Sequence, residues 1–233
     1  QMIFQDPISS LNPRRRVSDI VEMPLVVMGE GTPEERAARV RNVLEAVGLD
    51  PDTALDRRPF QFSGGQCQRI SIARALISEP SMLICDEPVS ALDVSIQAQI
   101  INLIQDMRKR YDLTMLFISH DLSVVKIVCD RVAVMYLGRI CELTDSETLY
   151  RQPAHPYTAA LLSAIPEADP SRPPQPIAMK EGELPSATHP PSGCRFNTRC
   201  PRAREICTQA VPQLVEIAER HTVACHFPLT EDT

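Results

Sequence analysis

The sequence predicts an α/β domain that is followed by a small cysteine-rich module. Two apolar runs, 82–85 and 113–118, are typical of buried parallel strands. Between them, residues 94–110 repeat apolar side chains at the spacing of an amphipathic helix. Residues 192–233 differ, because they hold four cysteines and few other residues that could form a core.

Composition restricts the classes of function. A chain of 233 residues can hold one domain of ordinary size and an appendage. A net charge of −6 provides no general positive field for nucleic acid. The longest apolar runs, 24–28 and 132–137, are far too short to span a membrane, and no signal-peptide pattern is present. Eight cysteines without an export signal indicate reduced thiols or metal ligands.

The N-terminal region predicts a short strand and a capped helix. Met2–Phe4 is strand-like and leads into a glutamine. Further on, Thr32 suits an N-cap, Pro33 the first helical position and Glu35 the third, which together form a capping box. Apolar residues then recur at helical spacing, and Gly48 can close the helix.

A second helix start lies at Ser63, which precedes Gly64 and Gly65. Serine is a favoured N-cap, and glycines let a ligand approach the backbone with no Cβ in the way. The N-terminus of the predicted helix, 66–78, is therefore a potential anion site. An ordinary capped helix is the alternative interpretation.

Acidic residues follow the first apolar strand. Asp86 and Glu87 stand where the strand ends, and carboxylates beside a buried strand are costly to desolvate unless they are used. At such an edge one carboxylate can hold Mg²⁺ and the other can polarise an attacking water. Solvated acids in a turn are the alternative.

His120 follows the second apolar strand, as Asp86 and Glu87 follow the first. The sequence then predicts a helix over 122–129 and a hairpin over 130–142.

These segments resemble the motifs of the ATP-binding-cassette (ABC) ATPases. FSGGQ at 62–66, LICDEP at 83–88, SALD at 90–93 and ISHD at 118–121 match the signature, Walker B, D-loop and switch-histidine motifs in order. Gln5 matches the glutamine loop. The resemblance implies a RecA-like core with a helical subdomain at about 15–80. It implies these sites: catalytic Glu87, His120 and Gln5; ATP-binding Ser63, Gly64, Gly65, Gln66 and Asp93; and magnesium-binding Asp86 and Gln5.

The phosphate loop of this family does not occur in the sequence. No GxxxxGK[ST] pattern is present, and the chain begins at Gln1. We therefore expect a partial P-loop ABC ATPase, whose phosphate loop lies upstream of residue 1, and we expect residues 1–233 alone to be inactive. The resemblance places the ATPase domain at 1–145.

The remainder resembles a narrower group, the ATPase subunits of dipeptide and oligopeptide importers. QPAHPYT at 152–158 and LLSAIP at 161–166 match the tail of that group. Residues 146–191 are expected to be an extension that ends in a Pro-rich linker. Residues 192–233 are expected to be a metal-binding module.

Four cysteines in that module are the predicted metal ligands. They are separated by five, six and seventeen residues: Cys194, Cys200, Cys207 and Cys225. A set of four thiols suits Zn²⁺ or an iron–sulfur cluster, and the absence of close CxxC pairs favours [4Fe–4S]. The importer resemblance implies the same cluster. Unligated or disulfide-bonded cysteines are the alternative, and His221 or His226 could replace a thiol.

The resemblance implies a function and a set of partners. The function is ATP hydrolysis, with ATP and Mg²⁺, that energises import of peptides or related solutes such as glutathione. The partners are a second ATPase subunit, identical or paralogous, two membrane permease subunits and an extracytoplasmic solute-binding protein. The expected location is the cytoplasmic face of the cell membrane. The alternatives are a soluble ATPase of a non-transport complex, such as one for phosphonate breakdown, and a redox-sensing role for the tail.

Overall fold

A computed structural model describes residues 1–165, 179 and 185–229. The chain divides into two compact units, Gln1–Val124 and Val125–Thr233. The predicted domain boundaries at 145 and 191 follow from the sequence motifs, and they remain a prediction. Most of the expected Pro-rich linker lies outside the described residues.

Three parallel strands form the sheet of the N-terminal unit. They are β1 (Met2–Ile3), β2 (Met82–Asp86) and β3 (Thr114–Ile118), in the spatial order β1-β2-β3. Ile3 pairs with Cys85, and Asp86 pairs with Ile118. The two apolar runs are therefore strands as predicted, and all three strands end at one edge of the sheet.

The chain between β1 and β2 is helical in the described structure. These helices are α1 (Val17–Met28), α2 (Pro33–Ala46), α3 (Pro51–Ala54) and α4 (Gly64–Leu76), with a single 3₁₀ turn at Pro59–Gln61. The predicted capping box of α2 is confirmed, because Thr32 Oγ1 accepts from the Glu35 N–H and Glu35 Oε2 accepts from the Thr32 N–H. Gly48 follows the helix with a φ of +74°.

Two arginines of α4 tie it to the rest of the N-terminal unit. Arg69 donates to the Val47 carbonyl at 2.6 Å, and Arg74 donates to the Ser10 carbonyl at 2.7 Å. Burial lowers the pKa of Arg74. The signature helix is thus held in place by bonds to two separate loops.

The helix after β2 is α5 (Val94–Arg110), with the predicted bounds. It buries one apolar face, which includes Ile100 and Ile104, and its last turn is basic, which complements the negative end of the helix dipole. A shorter helix, α6 (Leu122–Val128), follows β3.

An antiparallel sheet organises the C-terminal unit. Its strands are β4 (Arg131–Tyr136), β5 (Arg139–Asp145), β6 (Val215–Ala218) and β7 (His221–Val223), in the spatial order β4-β5-β7-β6. The predicted hairpin is confirmed, and both turn residues, Leu137 and Gly138, have positive φ. Since β5 also pairs with β7, the hairpin and the cysteine-rich segment share one sheet.

Helices α7 (Ser146–Arg151), α8 (Pro156–Ser163) and α9 (Glu205–Gln209) complete the unit. Its core contains three aromatic rings, those of Tyr136, Tyr157 and Phe196, with centroids 4.7 to 5.3 Å apart.

In the part of the chain that the structure describes, no helix combines the length and apolarity needed to cross a bilayer.

Candidate functional site

The parallel sheet brings four predicted site residues together. Gln5 lies two residues after β1, Asp86 ends β2 with Glu87 directly after it, and His120 lies two residues after β3. Because the three strands are parallel and adjacent, their carboxyl ends meet at the same edge. We call this group the strand-end cluster.

Glu87 is the centre of the strand-end cluster. Gln5 Nε2 donates to its Oε2 at 3.0 Å, and His120 Nδ1 lies 3.1 Å from its Oε1. The Glu87 N–H donates to the Ile118 carbonyl at 2.9 Å, which anchors the residue to β3. Its φ is +44°, in the left-handed region that non-glycine residues rarely occupy. The backbone is therefore held in a strained conformation that directs this carboxylate towards both partners.

Hydrogen bonding from His120 lowers the pKa of Glu87 below its usual range. Glu87 is consequently a carboxylate at neutral pH, which is the form that can polarise a water molecule. The side chain of His120 is 72% exposed, so a ligand can reach it. Asp86 supplies a second carboxylate beside Glu87, and carboxylate oxygen is a preferred ligand of Mg²⁺.

The signature residues form the N-terminus of α4. Ser63 Oγ accepts from the Gln66 N–H at 3.3 Å, and Gln66 Oε1 accepts from the Ser63 N–H at 3.0 Å. Ser63 is thus the N-cap, as predicted, and Gln66 completes a capping box. Asp93 is the N-cap residue of α5, although its side chain makes no capping bond there.

The two glycines of the signature have different surroundings. A Cβ on Gly64 would lie 3.6 Å from Leu92 Cδ2, an ordinary contact, whereas a Cβ on Gly65 would lie 2.6 Å from Ile96 Cγ2. Gly65 is therefore required for the close approach of α4 to α5. The sequence suggested only that glycine leaves room for a ligand, and no sequence signal pointed to Ile96.

The strand-end cluster and the signature are two separate groups within the N-terminal unit. Among the described residues, no hydrogen bond or ion pair joins Glu87, Gln5 or His120 to the signature residues. The signature does lie beside the N-terminus of α5, through the contact of Gly64 with Leu92. Ser63–Gln66 and Asp93 therefore share one part of the unit.

In the C-terminal unit, the four cysteines of the predicted metal site line one small cavity. Its volume is about 10 Å³, roughly the space of one water molecule. None of the eight cysteines of the chain forms a disulfide. We call Cys194, Cys200, Cys207 and Cys225 the thiol cluster. Among the described residues, no three His, Cys, Asp or Glu side chains are grouped so as to hold a metal ion.

Backbone geometry brings the thiol cluster together. The Cys194 N–H donates to the Cys207 carbonyl at 2.8 Å, and Asn197 Nδ2 donates to the same carbonyl at 3.2 Å. Gly193 has a φ of +69°, and a Cβ there would lie 2.3 Å from Cys207 O. Only glycine allows the two cysteine segments to approach this closely.

Two thiols of the cluster, those of Cys194 and Cys225, have raised pKa values. Burial raises the pKa of Cys194, and it raises the pKa of Cys225 to about 11. The thiols of Cys194 and Cys225 are therefore protonated at neutral pH unless a metal displaces the proton. Cys141 is a buried core residue, and burial raises its pKa to about 12. Cys85 is buried in β2, whereas Cys129 is only partly buried.

Two family models match parts of the chain. The model "ABC transporter" matches residues 1–90, and the model "Oligopeptide/dipeptide transporter, C-terminal region" matches residues 141–207. A putative peptide import ATP-binding protein of Brucella ovis is 55% identical over 225 residues, which cover 97% of this chain and 70% of that protein. The oligopeptide transport ATP-binding protein OppF of Escherichia coli is 52% identical over 227 residues, covering 97% and 67%.

The chain belongs to the ATP-binding proteins of oligopeptide and dipeptide ABC transporters. Among solved structures, cbiO1 from Clostridium perfringens, part of the ABC transporter complex cbiONQ, matches with a TM-score of 0.57 and 32% identity. That match covers 64% of this chain and 58% of the other. The predicted family and the ABC ATPase fold are thereby confirmed.

Sequence reasoning missed one buried group of this peptide-transporter ATPase. Glu142 is fully buried, and its carboxylate accepts from the backbone N–H groups of Ala154 and His155 at 2.7 and 2.9 Å. Its Oε1 also lies 2.8 Å from Nε2 of His221. Glu142 thus joins β5 to β7 and to the start of α8. A charged residue at an inward position of a strand was the available signal.

The two histidines considered as alternative metal ligands have other partners. His221 is bonded to Glu142, and His226 Nε2 lies 3.0 Å from the Ala210 carbonyl. His155, which also lines the thiol-cluster cavity, is buried, and burial lowers its pKa to about 4. It is therefore neutral at physiological pH.

The contrast between the signature glycines predicts different stabilities. Gly65→Ala should destabilise the protein by about 1–3 kcal/mol, because the added methyl overlaps the β-branched Ile96. Gly64→Ala, one residue away, should be neutral or slightly stabilising, since alanine has the higher helix propensity. Urea unfolding followed by circular dichroism measures both. Equal destabilisation by the two variants would contradict the packing role of Gly65, and Ile96→Ala should rescue Gly65→Ala.

Gly193 offers a second test, in the C-terminal unit. Gly193→Ala should cost clearly more than the roughly 1 kcal/mol expected from positive φ alone, since its Cβ meets the Cys207 backbone. Gly138→Ala is the matched control, because Gly138 also has positive φ but its Cβ would touch only the flexible end of Arg195. The free energy of unfolding of each variant provides the comparison. A Gly193→Ala variant as stable as the control would show that the Cys194 and Cys207 segments are not held as described.

Proposed function

We propose that this chain is an ATP-hydrolysing subunit that energises import of dipeptides, oligopeptides or related small solutes across the cytoplasmic membrane. The observation that carries the proposal is the strand-end cluster. A carboxylate with lowered pKa stands between an amide and an imidazole, at the carboxyl edge of a parallel sheet, in a chain of this family. The match of residues 141–207 to the oligopeptide/dipeptide C-terminal region favours transport over a soluble non-transport complex.

In the proposed mechanism, Glu87 polarises the water that attacks the γ-phosphate. Gln5 and His120 orient that water and the phosphate, because both side chains already lie within hydrogen-bond distance of Glu87. Asp86, with Gln5, would hold Mg²⁺. When bound, Mg²⁺ neutralises negative charge on the transferring phosphoryl group.

The signature would act on ATP held by a second ATPase subunit. Ser63, Gly64, Gly65 and Gln66 form a helix N-terminus, where first-turn N–H groups have no intrahelical acceptor and attract phosphate. Asp93, at the neighbouring N-terminus of α5, would line the same interface. The separation of this group from the strand-end cluster supports a head-to-tail dimer, in which each site uses residues of both subunits.

The remaining partners follow from this role. We infer two membrane permease subunits, an extracytoplasmic solute-binding protein and a peripheral position on the cytoplasmic face of the membrane. We also infer that residues 1–145 form the ATPase domain, 146–191 an extension with a linker, and 192–233 the metal-binding module. The helices between β1 and β2 would form the helical subdomain.

For the thiol cluster we propose a [4Fe–4S] centre, with Zn²⁺ as the alternative. The chemistry of the donor set fits, because four thiols and no carboxylate line one cavity, although the described side chains are not grouped so as to hold a metal ion as they stand. The cavity holds only about one water, so the side chains must rearrange to accept a cluster. The centre would supply cross-links among the three segments that carry the cysteines. Because the thiols must lose their protons when they bind the metal, assembly of the centre should depend on pH.

The catalytic role of Glu87 can be tested by Glu87→Gln in the full-length protein with its partner subunits. Glutamine keeps the size of the side chain but cannot act as a base, so ATP hydrolysis should fall by about 10²- to 10⁴-fold while ATP binding is kept. Single-turnover hydrolysis and equilibrium ATP binding measure the two quantities. Glu147→Gln, which changes an exposed side chain of α7, is the control and should hydrolyse ATP normally. Hydrolysis by Glu87→Gln at the parent rate would remove the proposed role.

The metal proposal can be tested by anaerobic purification followed by metal analysis and an absorption spectrum. A [4Fe–4S] centre gives about four irons per chain and broad visible absorbance. Cys200→Ser should lose most of the iron, whereas Cys129→Ala, outside the cavity, should keep it. Zinc at about one per chain would support the alternative instead. A preparation with neither metal would contradict a metal-binding module.

A further inference from the structure

The C-terminal unit contains a second cavity, which is much larger than that of the thiol cluster. Its volume is about 320 Å³, at the lower end of the range for small-molecule sites, which is roughly 300–1,000 Å³. Three segments form most of it, namely the β4–β5 turn region, residues 193–196, and residues 211–214 ahead of β6, and His155 and Ala224 complete the lining. We call it the turn cavity.

Two arginines, Arg139 and Arg195, line the turn cavity, and no acidic residue does. A Cβ on Gly138 would lie 3.5 Å from Nη1 of Arg195, so the Arg195 guanidinium rests against the turn that carries Arg139. Neither arginine has an ion-pair partner among the described residues. By contrast, Arg131 and Arg220 both pair with Asp145 in the same sheet.

This placement of charge favours an anion. Two guanidinium groups on one rim repel each other, and an anion between them replaces that repulsion with attraction. Arginine also presents its N–H donors in a planar fork, which matches the two oxygens of a carboxylate. The turn cavity therefore has a cationic end that nothing in the described protein neutralises.

The other walls of the turn cavity are apolar. Ile140, Val211 and Leu214 line it and remain 39%, 39% and 44% exposed. Pro212 and the buried ring of Phe196 extend the same surface, and Gln213 adds one amide. A ligand with an apolar body would remove these side chains from water, which is favourable in proportion to the apolar area buried. Inorganic phosphate, which is wholly polar, would not use these walls.

We propose that the turn cavity binds a small carboxylate with an apolar body, whose carboxylate lies between Arg139 and Arg195 while its apolar part packs on Ile140, Val211 and Leu214. Two sources share this chemistry: the C-terminal carboxylate of a short peptide, and a free organic acid. Either ligand would contact residues 193–196, the loop that carries Cys194, which lines both cavities of this unit.

The test uses the purified full-length protein and two matched probes, N-acetyl-leucine and N-acetyl-leucinamide. They share an apolar body, but only the first carries a carboxylate. We expect N-acetyl-leucine to bind at least about 10-fold more tightly, the ratio typical of hydrogen bonds to a charged group. Calorimetric titration or ligand-observed magnetic resonance gives both affinities. Equal affinities, or inorganic phosphate binding as tightly as N-acetyl-leucine, would overturn the proposal.

Variants of the lining residues test whether the probes bind in the turn cavity. Arg139→Gln should weaken N-acetyl-leucine binding by about 10-fold or more, because one charged donor is lost. Leu214→Ala should weaken both probes alike, since it removes only apolar contact. Arg151→Gln, which changes an exposed arginine of α7 outside the cavity, is the control and should bind normally. Arg139 is exposed, so its replacement should leave the fold intact, as near-ultraviolet circular dichroism can verify. Unchanged binding in both cavity variants would overturn the site.

A second pair of probes distinguishes the two sources. Ala-Ala-Leu with a free C-terminus represents the peptide, and octanoate represents the organic acid. Tighter binding of the peptide, lost when its C-terminus is amidated, supports a peptide carboxylate. Tighter binding of octanoate supports an organic acid. If neither binds, the turn cavity is not a carboxylate site. The ATPase role is unaffected by any of these outcomes, because it depends on Glu87 and not on the turn cavity.

Discussion

The proposed chemistry of this protein depends on the hold that the sheet exerts on Glu87. The residue follows β2 with a positive φ, a conformation that costs free energy in any residue other than glycine. The bond from its N–H to Ile118 and the contacts of its carboxylate with Gln5 and His120 keep it there. Ile118 and His120 belong to β3 and the residues just after it, and Gln5 follows β1, so the cluster exists only when all three strands are in register.

The packing of the helices beside the sheet also affects the geometry of the proposed sites. Helix α4 is placed by Arg69 and Arg74 and by the close approach of Gly65 to Ile96 of α5. Helix α5, in turn, follows directly from the loop after Glu87. A change in packing between α4 and α5 would therefore be felt at the signature and at the chain next to the strand-end cluster. In the proposed dimer, such shared packing would be one physical route by which the two nucleotide sites influence each other.

In the C-terminal unit, buried polar bonds act together with two apolar core clusters. The Glu142 carboxylate organises β5, β7 and the start of α8 through three hydrogen bonds, and such a group is costly to bury unless every bond is made. Gly193 and Asn197 then bring the Cys194 and Cys207 segments together. The thiol-cluster cavity and the turn cavity are both lined by Cys194 and Phe196 of the same short loop, 193–196, so occupancy of one is expected to influence the other.

The sequence by itself determined the elements and the chemistry that acts locally. Apolar runs identified β2 and β3, the Thr32 capping box identified α2, and the order of motifs identified the family, because each signal depends on neighbours along the chain. Only the tertiary structure decided which distant residues meet. The pairing of β5 with β7, the partners of Glu142, the need for glycine at 65 and 193, and the convergence of Arg139 and Arg195 on the turn cavity all arise between separate segments of the chain. Three-dimensional packing sets these contacts, and no local sequence pattern identifies the partner residue.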